Sequence, residues 1–377
     1  MVDPLKQKYG SWAPVLLPFA LLTLVALSAY RMWPTGQAPP GQVQPTATAT
    51  APAPQSHVFE GPTMGTTWQI TVLAEGGADP STLPAAIAAE LAEIDRQMST
   101  WRDDSVLTAF NAHASTAPFP APRALLDCLA LAREVSERSG GAFDVTIAPL
   151  VEAWGFGRHP SPDPNPSAEA LTRLRARVGW AGLHVDLSAG TLRKDQPELV
   201  VDVSAIAPGY AADVLSDRLV ALGFPRHLVD VGGEFRARGE GPSGPWRLGI
   251  ERPDGPLGAR TVQEVVRLRE GALATSGDYR NYREQDGVRI SHTIDPRSGR
   301  PIAHRLAAVT GVHRTAALAD AWATALNVLG PDEGLALAER EGLAALFLVR
   351  DEAGFIPRPT TAFTALRDAP ASFNLGP

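Results

Sequence analysis

Cysteine is nearly absent from this sequence, with Cys128 as the only one among 377 residues. One cysteine cannot form an intrachain disulfide, and its apolar, helically spaced neighbours indicate a small core side chain without a chemical role. A long run of lysine or arginine is absent as well, and the formal net charge is -7. Because nucleic-acid binding depends on a basic surface that meets phosphates, this charge pattern argues against nucleic acid as a partner.

No internal repeat is detectable either, and the remaining composition is that of a globular protein. With 44% hydrophobic and 20% charged residues, the chain can bury the core of one large domain or two smaller ones. Alternating apolar residues predict strands at Trp68 to Leu73, Leu199 to Val203, His227 to Val231, Trp246 to Glu251, Thr261 to Leu268, Arg289 to Ile294, Ala307 to Val312 and Ala344 to Val349. Helical spacing predicts helices at Leu83 to Met98, Arg123 to Ser139, Ala168 to Val178, Tyr210 to Leu222, Thr315 to Leu329 and Glu333 to Glu341. Because strands and helices intermingle without a regular βαβ rhythm, the sequence predicts an α+β domain.

The N-terminal part contains a long apolar segment. The 19 residues from Trp12 to Tyr30 carry no charge, which is about the length of one membrane crossing. Lys6 and Lys8 precede this segment, so the pattern predicts a cytoplasmic N-terminus (1–11), a transmembrane anchor (12–30) and an exported remainder. A cleaved signal peptide is the alternative, with Ala26-Leu27-Ser28 as the small-residue cleavage site. Residues 31–56 are rich in Pro, Ala and Thr and predict an extended linker.

A carboxylate and a hydroxyl are spaced for a metal site near the C-terminal third. Asp320 and Thr324 are four residues apart in a predicted helix, so they share one face. Mg²⁺ accepts one or two oxygen ligands from a protein and keeps places for water and substrate phosphate. The pair is therefore a candidate half-site for magnesium. In the alternative interpretation, Asp320 lies in the first helical turn near the positive end of the helix dipole and Thr324 bonds back to the helix.

Five further segments combine glycine, hydroxyl, aromatic or acidic residues. They are Met64-Gly65-Thr66-Thr67-Trp68, Ser99-Thr100-Trp101-Arg102-Asp103-Asp104-Ser105, Gly140-Gly141-Ala142-Phe143-Asp144, Val200 to Tyr210, and Val231-Gly232-Gly233-Glu234. Strand-to-helix loops offer amides and carbonyls to a phosphate or its metal, and the ring of Trp101 could stack on a flat heteroaromatic ligand. Each segment also has an ordinary explanation as a turn or a capped helix end.

The order of these segments is more specific than any one of them. Together with Ala-Thr-Ser-Gly-Asp-Tyr (274–279), Ser-His-Thr-Ile-Asp-Pro (291–296) and Ala-Asp-Ala-Trp-Ala-Thr-Ala-Leu (319–326), they closely resemble the FAD:protein FMN transferase (ApbE) family from about Phe59 to Val349. The resemblance implies a single mixed, T-fold-like α+β domain at 57–370. It also implies a Mg²⁺-dependent enzyme that splits the pyrophosphate of FAD and attaches FMN through a phosphoester to a threonine, releasing AMP.

The resemblance further implies roles for individual residues. The metal would be held by the main-chain carbonyl of Ala205 and the side chains of Asp320 and Thr324. The positions at which the family contacts FAD are Met64, Trp101, Ala142, Phe143, Asp144, Asp202, Pro208 and Ile294. Trp101 stands where many relatives carry tyrosine, and either ring supplies a stacking face. Pro208 replaces the lysine of many relatives and supplies neither a positive charge nor an amide donor.

His292 is the candidate for removing the proton of the incoming threonine hydroxyl, because an imidazole titrates near neutral pH. A hydrogen bond across the predicted hairpin is the alternative role for this side chain.

Three functions compete at this point. The first is the transferase; the second is a pyrophosphatase that cuts FAD into FMN and AMP with water as acceptor. The third is a non-catalytic flavin-binding accessory protein, for which Pro208 is the sequence indication. The partners implied by the family are FAD and an exported acceptor flavoprotein, either a respiratory electron-transport subunit or one of nitrous-oxide reductase maturation. The implied location is a bacterial inner membrane with the catalytic domain in the periplasm, or a secreted periplasmic protein after signal cleavage.

Overall fold

The structure is a computed structural model that describes residues 55–75, 78–253, 261–277, 282–285, 288–352 and 354–368, all within the unit Ala53–Pro377. The strands in these ranges are β1 (Gln55–Thr63), β2 (Thr66–Ala74), β3 (Phe119–Pro120), β4 (Leu183–Asp186), β5 (Thr191–Lys194), β6 (His227–Val231), β7 (Glu234–Arg238), β8 (Trp246–Glu251), β9 (Val262–Leu268), β10 (Glu270–Gly277), β11 (Tyr282–Gln285), β12 (Val288–Ser291), β13 (Ile294–Asp295), β14 (Arg300–Pro301), β15 (Leu306–His313), β16 (Ala344–Asp351) and β17 (Gly354–Pro359). The α-helices are α1 (Leu83–Met98), α2 (Val106–Ala112), α3 (Arg123–Arg138), α4 (Ala148–Ala153), α5 (Ala168–Arg175), α6 (Ala207–Ala221), α7 (Ala316–Arg340) and α8 (Thr361–Asp368).

An antiparallel sheet organises the fold, with the strand order β1-β2-β6-β7-β10-β15-β16-β17. Both of its faces are covered, as the alternation along β16 demonstrates. Ala345, Phe347 and Val349 enter the main core with α6 and α7, whereas Leu346 and Leu348 enter a second core with β8, β9 and α8. Because both faces exclude water, this strand is an uninterrupted apolar run rather than a clean alternation. The mixed α+β class expected from the sequence is confirmed.

α7 packs on the sheet; Gly330 within it lies beside His304, just before β15, and β16 then begins at Ala344, opposite Val312 near the end of β15. The backbone of Gly330 is not helical (φ 82°, ψ -173°), so the helical run is broken here, and Pro331 stands at the start of the second segment, where its missing amide costs no intrahelical hydrogen bond. α7 therefore consists of two helical segments that meet at Gly330, in agreement with the two helices predicted for this stretch.

The predicted strand from Leu199 to Val203 is wrong, because this segment has no regular secondary structure. The side chain of Asn111 donates to the carbonyl of Val201 and accepts from its amide, both at 2.8 Å. These bonds replace the ladder that an apolar run would otherwise form. The predicted strand from Arg289 to Ile294 is divided between β12 and β13, with a turn at His292.

The predicted transmembrane segment (12–30) and nearly all of the predicted linker (31–56) lie outside the described residues. Among the helices of the described ranges, none combines the length and apolarity that a membrane crossing requires.

Candidate functional site

The starts of α6 and α7 meet at the predicted metal site. Ala205 lies in the turn that leads into α6, and the amide of Gly209 in the first turn of α6 donates to Oδ2 of Asp320 at 3.3 Å. The two helices approach closely, since a Cβ added at Gly209 would lie 2.4 Å from the carbonyl oxygen of Ala316. Asp320 thus lies at the start of the helix that the turn containing Ala205 leads into, although the two residues are 115 positions apart in the chain.

Asp320 does not lie in the first turn of its helix, which was the alternative interpretation of its place in the sequence. Asp320 is the fifth residue of α7 and therefore follows the first turn, and its carboxylate lies at the N-terminus of α6 instead. Burial raises the pKa of Asp320 to about 7, although the hydrogen bond from Gly209 acts in the opposite direction. Burial and the charges of Asp320 and Asp230 raise the pKa of Glu234 well above its usual range. A buried carboxylate and a half-buried one near each other favour occupation by a cation.

Thr324 follows Asp320 by one helical turn on the same face of α7. Within the described residues its hydroxyl forms no side-chain hydrogen bond, so the expected alternative of a bond back to the helix is not formed. The carboxylate of Asp320, the hydroxyl of Thr324 and the carbonyl of Ala205 are oxygen donors of the kind that Mg²⁺ prefers. No group of three His, Cys, Asp or Glu side chains suited to a metal occurs in the described ranges. The predicted set does not require one, because it includes a main-chain oxygen and a hydroxyl.

Met64 lies in a tight turn at one end of the central sheet. It joins β1 to β2 with Gly65, and both residues have positive φ angles, 43° and 73°. The pairing of Trp68 with Val231 places this turn beside the one that joins β6 to β7, immediately before Glu234. The Met64 turn therefore lies at the same end of the sheet as Glu234, the carboxylate whose pKa is raised in part by the charge of Asp320.

The segment around Asp144 contacts the segment around Asp202. The amide of Asp202 donates to the carbonyl of Val145 at 2.7 Å. Asp144 accepts from the amide and hydroxyl of Thr146 and from the amide of Trp180, at 2.6 to 3.0 Å, while burial raises its pKa. Ala142 and Phe143 are buried in the main core. A ligand would therefore meet these two residues chiefly through their main chain.

A cavity of about 230 Å³ borders Asp202. Its lining residues are Thr100, Thr108, Asn111, Ala112, Ala148, Val151, Glu152, Gly157, Arg158, His159, Val200, Val201 and Asp202. Trp101, 55% exposed, follows Thr100 in the loop between α1 and α2. The guanidinium of Arg158 holds this loop by donating to the carbonyl of Thr100 and to Asp103. The exposed ring of Trp101 thus directly follows a cavity-lining residue in the chain, an arrangement suited to stacking on a flat heteroaromatic group.

His292 adjoins the same loop that carries Arg158. The rings of His292 and Phe156 are in edge contact, with centroids 6.3 Å apart. Ile294 is 2% exposed and packs in a small apolar cluster with Leu150 and Leu171, so a ligand would chiefly meet its main chain. Residues 156–158 therefore connect the imidazole with the cavity wall.

Pro208 is the second residue of α6. Amides in the first helical turn have no partner within the helix, so a proline at this position removes no intrahelical hydrogen bond. The replacement of the implied lysine therefore removes a charge and leaves the start of the helix intact.

Three groups that shape the site were not predicted from the sequence. Glu234 was recognised as part of a turn and assigned no role, although its position after two glycines that end a strand was visible. Asn111 and Asp213 act on segments that are 90 and 103 residues away, and nothing in the local pattern indicates such partners.

Known proteins are similar to most of this chain. A family model described as the ApbE family matches residues 64–347. The chain is 43% identical over 314 residues to the FAD:protein FMN transferase of Vibrio cholerae, covering 83% of this chain and 92% of that protein. Its identity to the FAD:protein FMN transferase of Klebsiella pneumoniae is 41% over 311 residues, covering 82% and 88%.

Solved structures agree with these sequence comparisons. The flavin transferase ApbE from Vibrio cholerae superimposes with a TM-score of 0.76 and 41% identity, covering 83% of this chain and 99% of that one. The apo form of Pseudomonas stutzeri flavinyl transferase ApbE gives a TM-score of 0.76 and 42% identity, with coverages of 84% and 98%.

Proposed function

The chain belongs to the ApbE family and is an FAD:protein FMN transferase, and on this premise we propose the finer steps of its reaction. The enzyme cleaves the pyrophosphate of FAD with the help of Mg²⁺, releases AMP and transfers FMN to a threonine hydroxyl of an exported flavoprotein. The single observation that supports this proposal is the hydrogen bond from the amide of Gly209 to Asp320, because Ala205 lies in the turn immediately before the helix whose first turn contains Gly209.

The carbonyl of Ala205, the carboxylate of Asp320 and the hydroxyl of Thr324 are the proposed metal ligands. These three groups would hold Mg²⁺, which would supply positive charge to the pyrophosphate of FAD. Burial has raised the pKa of Asp320 to about 7, so this carboxylate must lose its proton before it can act as a ligand near neutral pH. Glu234 lies near enough to add to the negative potential that attracts the cation.

The flavin is proposed to lie against Trp101 at the cavity bordered by Asp202. Stacking on the indole would orient the ring system of the flavin. His292, whose ring touches Phe156, is the proposed base that accepts the proton of the threonine hydroxyl. The bond that forms joins that oxygen to the FMN phosphorus, and the bond that breaks releases AMP.

The test uses the purified full chain with FAD, with and without Mg²⁺, and with and without an acceptor that carries the target threonine. Covalent flavin fluorescence on the acceptor in a denaturing gel, lost on adding EDTA or on changing the acceptor threonine to valine, is expected. Free FMN in the absence of covalent flavin would establish the pyrophosphatase instead. Bound FAD without turnover would establish a flavin-binding accessory protein.

We also propose where the enzyme works. The uncharged segment 12–30 anchors it in a bacterial inner membrane, with the catalytic domain in the periplasm beside respiratory or nitrous-oxide reductase maturation flavoproteins. Fractionation of cells, followed by protease treatment of spheroplasts, checks both the membrane attachment and the side on which the domain lies. Release of a soluble, shortened chain from the periplasm would favour signal cleavage.

A further inference from the structure

The N-termini of α6 and α7 cap each other. Asp213 on α6 accepts from the amides of Ala316 and Ala317, the first two residues of α7, at 2.9 Å each. In return, Asp320 on α7 accepts from the amide of Gly209 at the start of α6. Each helix thus receives a carboxylate from the other at the end where its amides and dipole favour negative charge.

The local cap of α7 does not perform this task. Thr315 has the extended backbone of an N-cap residue, with φ -124° and ψ 150°, but its side chain caps no amide. Its buried hydroxyl also has no hydrogen-bond partner among the residues that the structure describes. Since Thr is an effective N-cap only when its oxygen accepts an amide, the start of α7 depends on Asp213.

Asp213 is itself held from the opposite side. Nε of the buried Arg236 lies 3.4 Å from Oδ1 of Asp213. The other guanidinium nitrogens of Arg236 donate to the carbonyls of Ala237 and Gly271 and to Glu270. Through Arg236, strands β7 and β10 therefore hold the carboxylate of Asp213 in place, and Asp213 in turn caps the start of α7.

We infer that Asp213 is a positioning residue for the metal site, an inference that rests on the proposed function of Asp320 and Ala205. Asp213 sets the height and rotation of α7 relative to the turn that leads into α6. That relative placement determines whether the carboxylate of Asp320 and the carbonyl of Ala205 can reach one ion. Magnesium requires ligand distances of about 2.0–2.1 Å in near-octahedral geometry, so a shift of a few tenths of an ångström weakens the site.

The experiment measures metal affinity rather than turnover. Purified full-length variants are titrated with Mn²⁺, and the free ion is followed by electron paramagnetic resonance. The affinity for Mg²⁺ is then measured by its competition with Mn²⁺. We expect Asp213→Ala to weaken binding at least about tenfold, as losses of supporting partners around metal ligands usually do. Asp217→Ala is the matched control, because Asp217 lies one turn further along α6, is exposed and pairs with Arg238 at 2.6 Å. Its metal affinity should equal that of the parent.

A second variant separates positioning from simple helix capping. Asp213→Ala combined with Thr315→Asp restores a local cap to α7 and keeps the net charge, so its melting temperature in EDTA should recover. If Asp213 positions α7, the metal affinity of this double variant stays weak. Recovery of the affinity together with the melting temperature would overturn the inference, as would parental metal binding by Asp213→Ala. Where a variant fails to fold, Asp213→Asn with a native circular dichroism spectrum decides by the same criterion. A parent chain that binds neither ion would instead refute the proposed metal site.

Discussion

Replacement of Gly209 by alanine tests the close contact on which the metal site depends. A Cβ at this position would lie 2.4 Å from the carbonyl oxygen of Ala316, 2.6 Å from its carbonyl carbon and 2.9 Å from Cα of Ala317. Ordinary contacts of this kind are about 1 Å longer, so either α6 or α7 must move. All three atoms belong to the main chain, and no change of rotamer can relieve the overlap.

Two opposing effects decide the sign of the change in stability. Alanine favours a helix over glycine by about 1 kcal/mol, which taken alone would stabilise α6. Forcing an extra carbon into a packed region costs about 1–3 kcal/mol, and contact with rigid main chain places this case at the upper end. We therefore expect the free energy of unfolding to fall by about 2 kcal/mol, or roughly 4 °C in melting temperature for a domain of this size.

The same displacement separates the proposed ligands, so metal affinity should fall as well. Melting is followed by circular dichroism in EDTA, and metal binding by Mn²⁺ titration. Val220→Ala is the matched control, since Val220 is an exposed residue of the same helix, 41% accessible, and its loss should change stability by no more than about 0.5 kcal/mol. If Gly209→Ala melts at or above the parental temperature and binds Mn²⁺ equally well, the described helix contact is incorrect.

Three further predictions follow from burial and charge. Asp320→Asn should abolish metal-dependent transfer while leaving the melting temperature in EDTA at pH 8 unchanged or higher, because the amide keeps an acceptor for Gly209 and removes a buried charge; a marked loss of stability would contradict this. Trp101→Ala should weaken FAD binding about tenfold with no change in melting, since the ring is exposed, and Trp101→Tyr should restore most of the affinity in a flavin fluorescence titration. Burial lowers the pKa of His227 to about 4, so its contribution to stability is complete above pH 6.5 and is lost as pH falls toward 4, by about 3 kcal/mol. Urea midpoints at pH 7.5 and 5 should differ less in His227→Gln than in the parent.

Elements with strong local periodicity could be predicted from the sequence to within a residue or two. The buried residues of α1 recur at helical spacing from Leu83 through Leu91 to Met98, so the periodic pattern also determines where the helix begins and ends. Strands β6 and β8 also have the predicted bounds. In them every second residue is apolar, and turn residues end this alternation on either side. In these elements local preference and tertiary packing agree.

Elements whose partners are distant were missed. β7 contains the buried Arg236 and β10 contains Gly271, so neither has the apolar alternation of a central strand. Both are strands because β6 and β15 pair with them. Conversely, the apolar run from Leu199 to Val203 is irregular because Asn111 provides its hydrogen bonds. Pairing across the chain outweighs local propensity in all three segments.

The candidate site likewise has features that the local sequence predicts and features that depend on distant parts of the chain. The spacing of Asp320 and Thr324 predicts their common face from helical geometry alone. Their proposed convergence with Ala205 depends on the packing of α6 against α7, which no local pattern reveals. Asp213 was overlooked because a carboxylate in a helix interior usually indicates a solvated surface, whereas here it caps another helix.

The reciprocal capping also explains how the site tolerates Pro208. The family resemblance implies a lysine here, whose charge would lie beside the phosphates. Pro208 has no amide to contribute, and the next amide, that of Gly209, is the one that meets Asp320. The placement of the proposed metal ligands therefore does not use the side chain at 208, whereas the positive charge around the nucleotide depends on it. Because Asp320 is buried and Glu234 is half-buried, we expect neutralisation of the phosphates in the proposed reaction to depend more heavily on the divalent ion when that charge is missing.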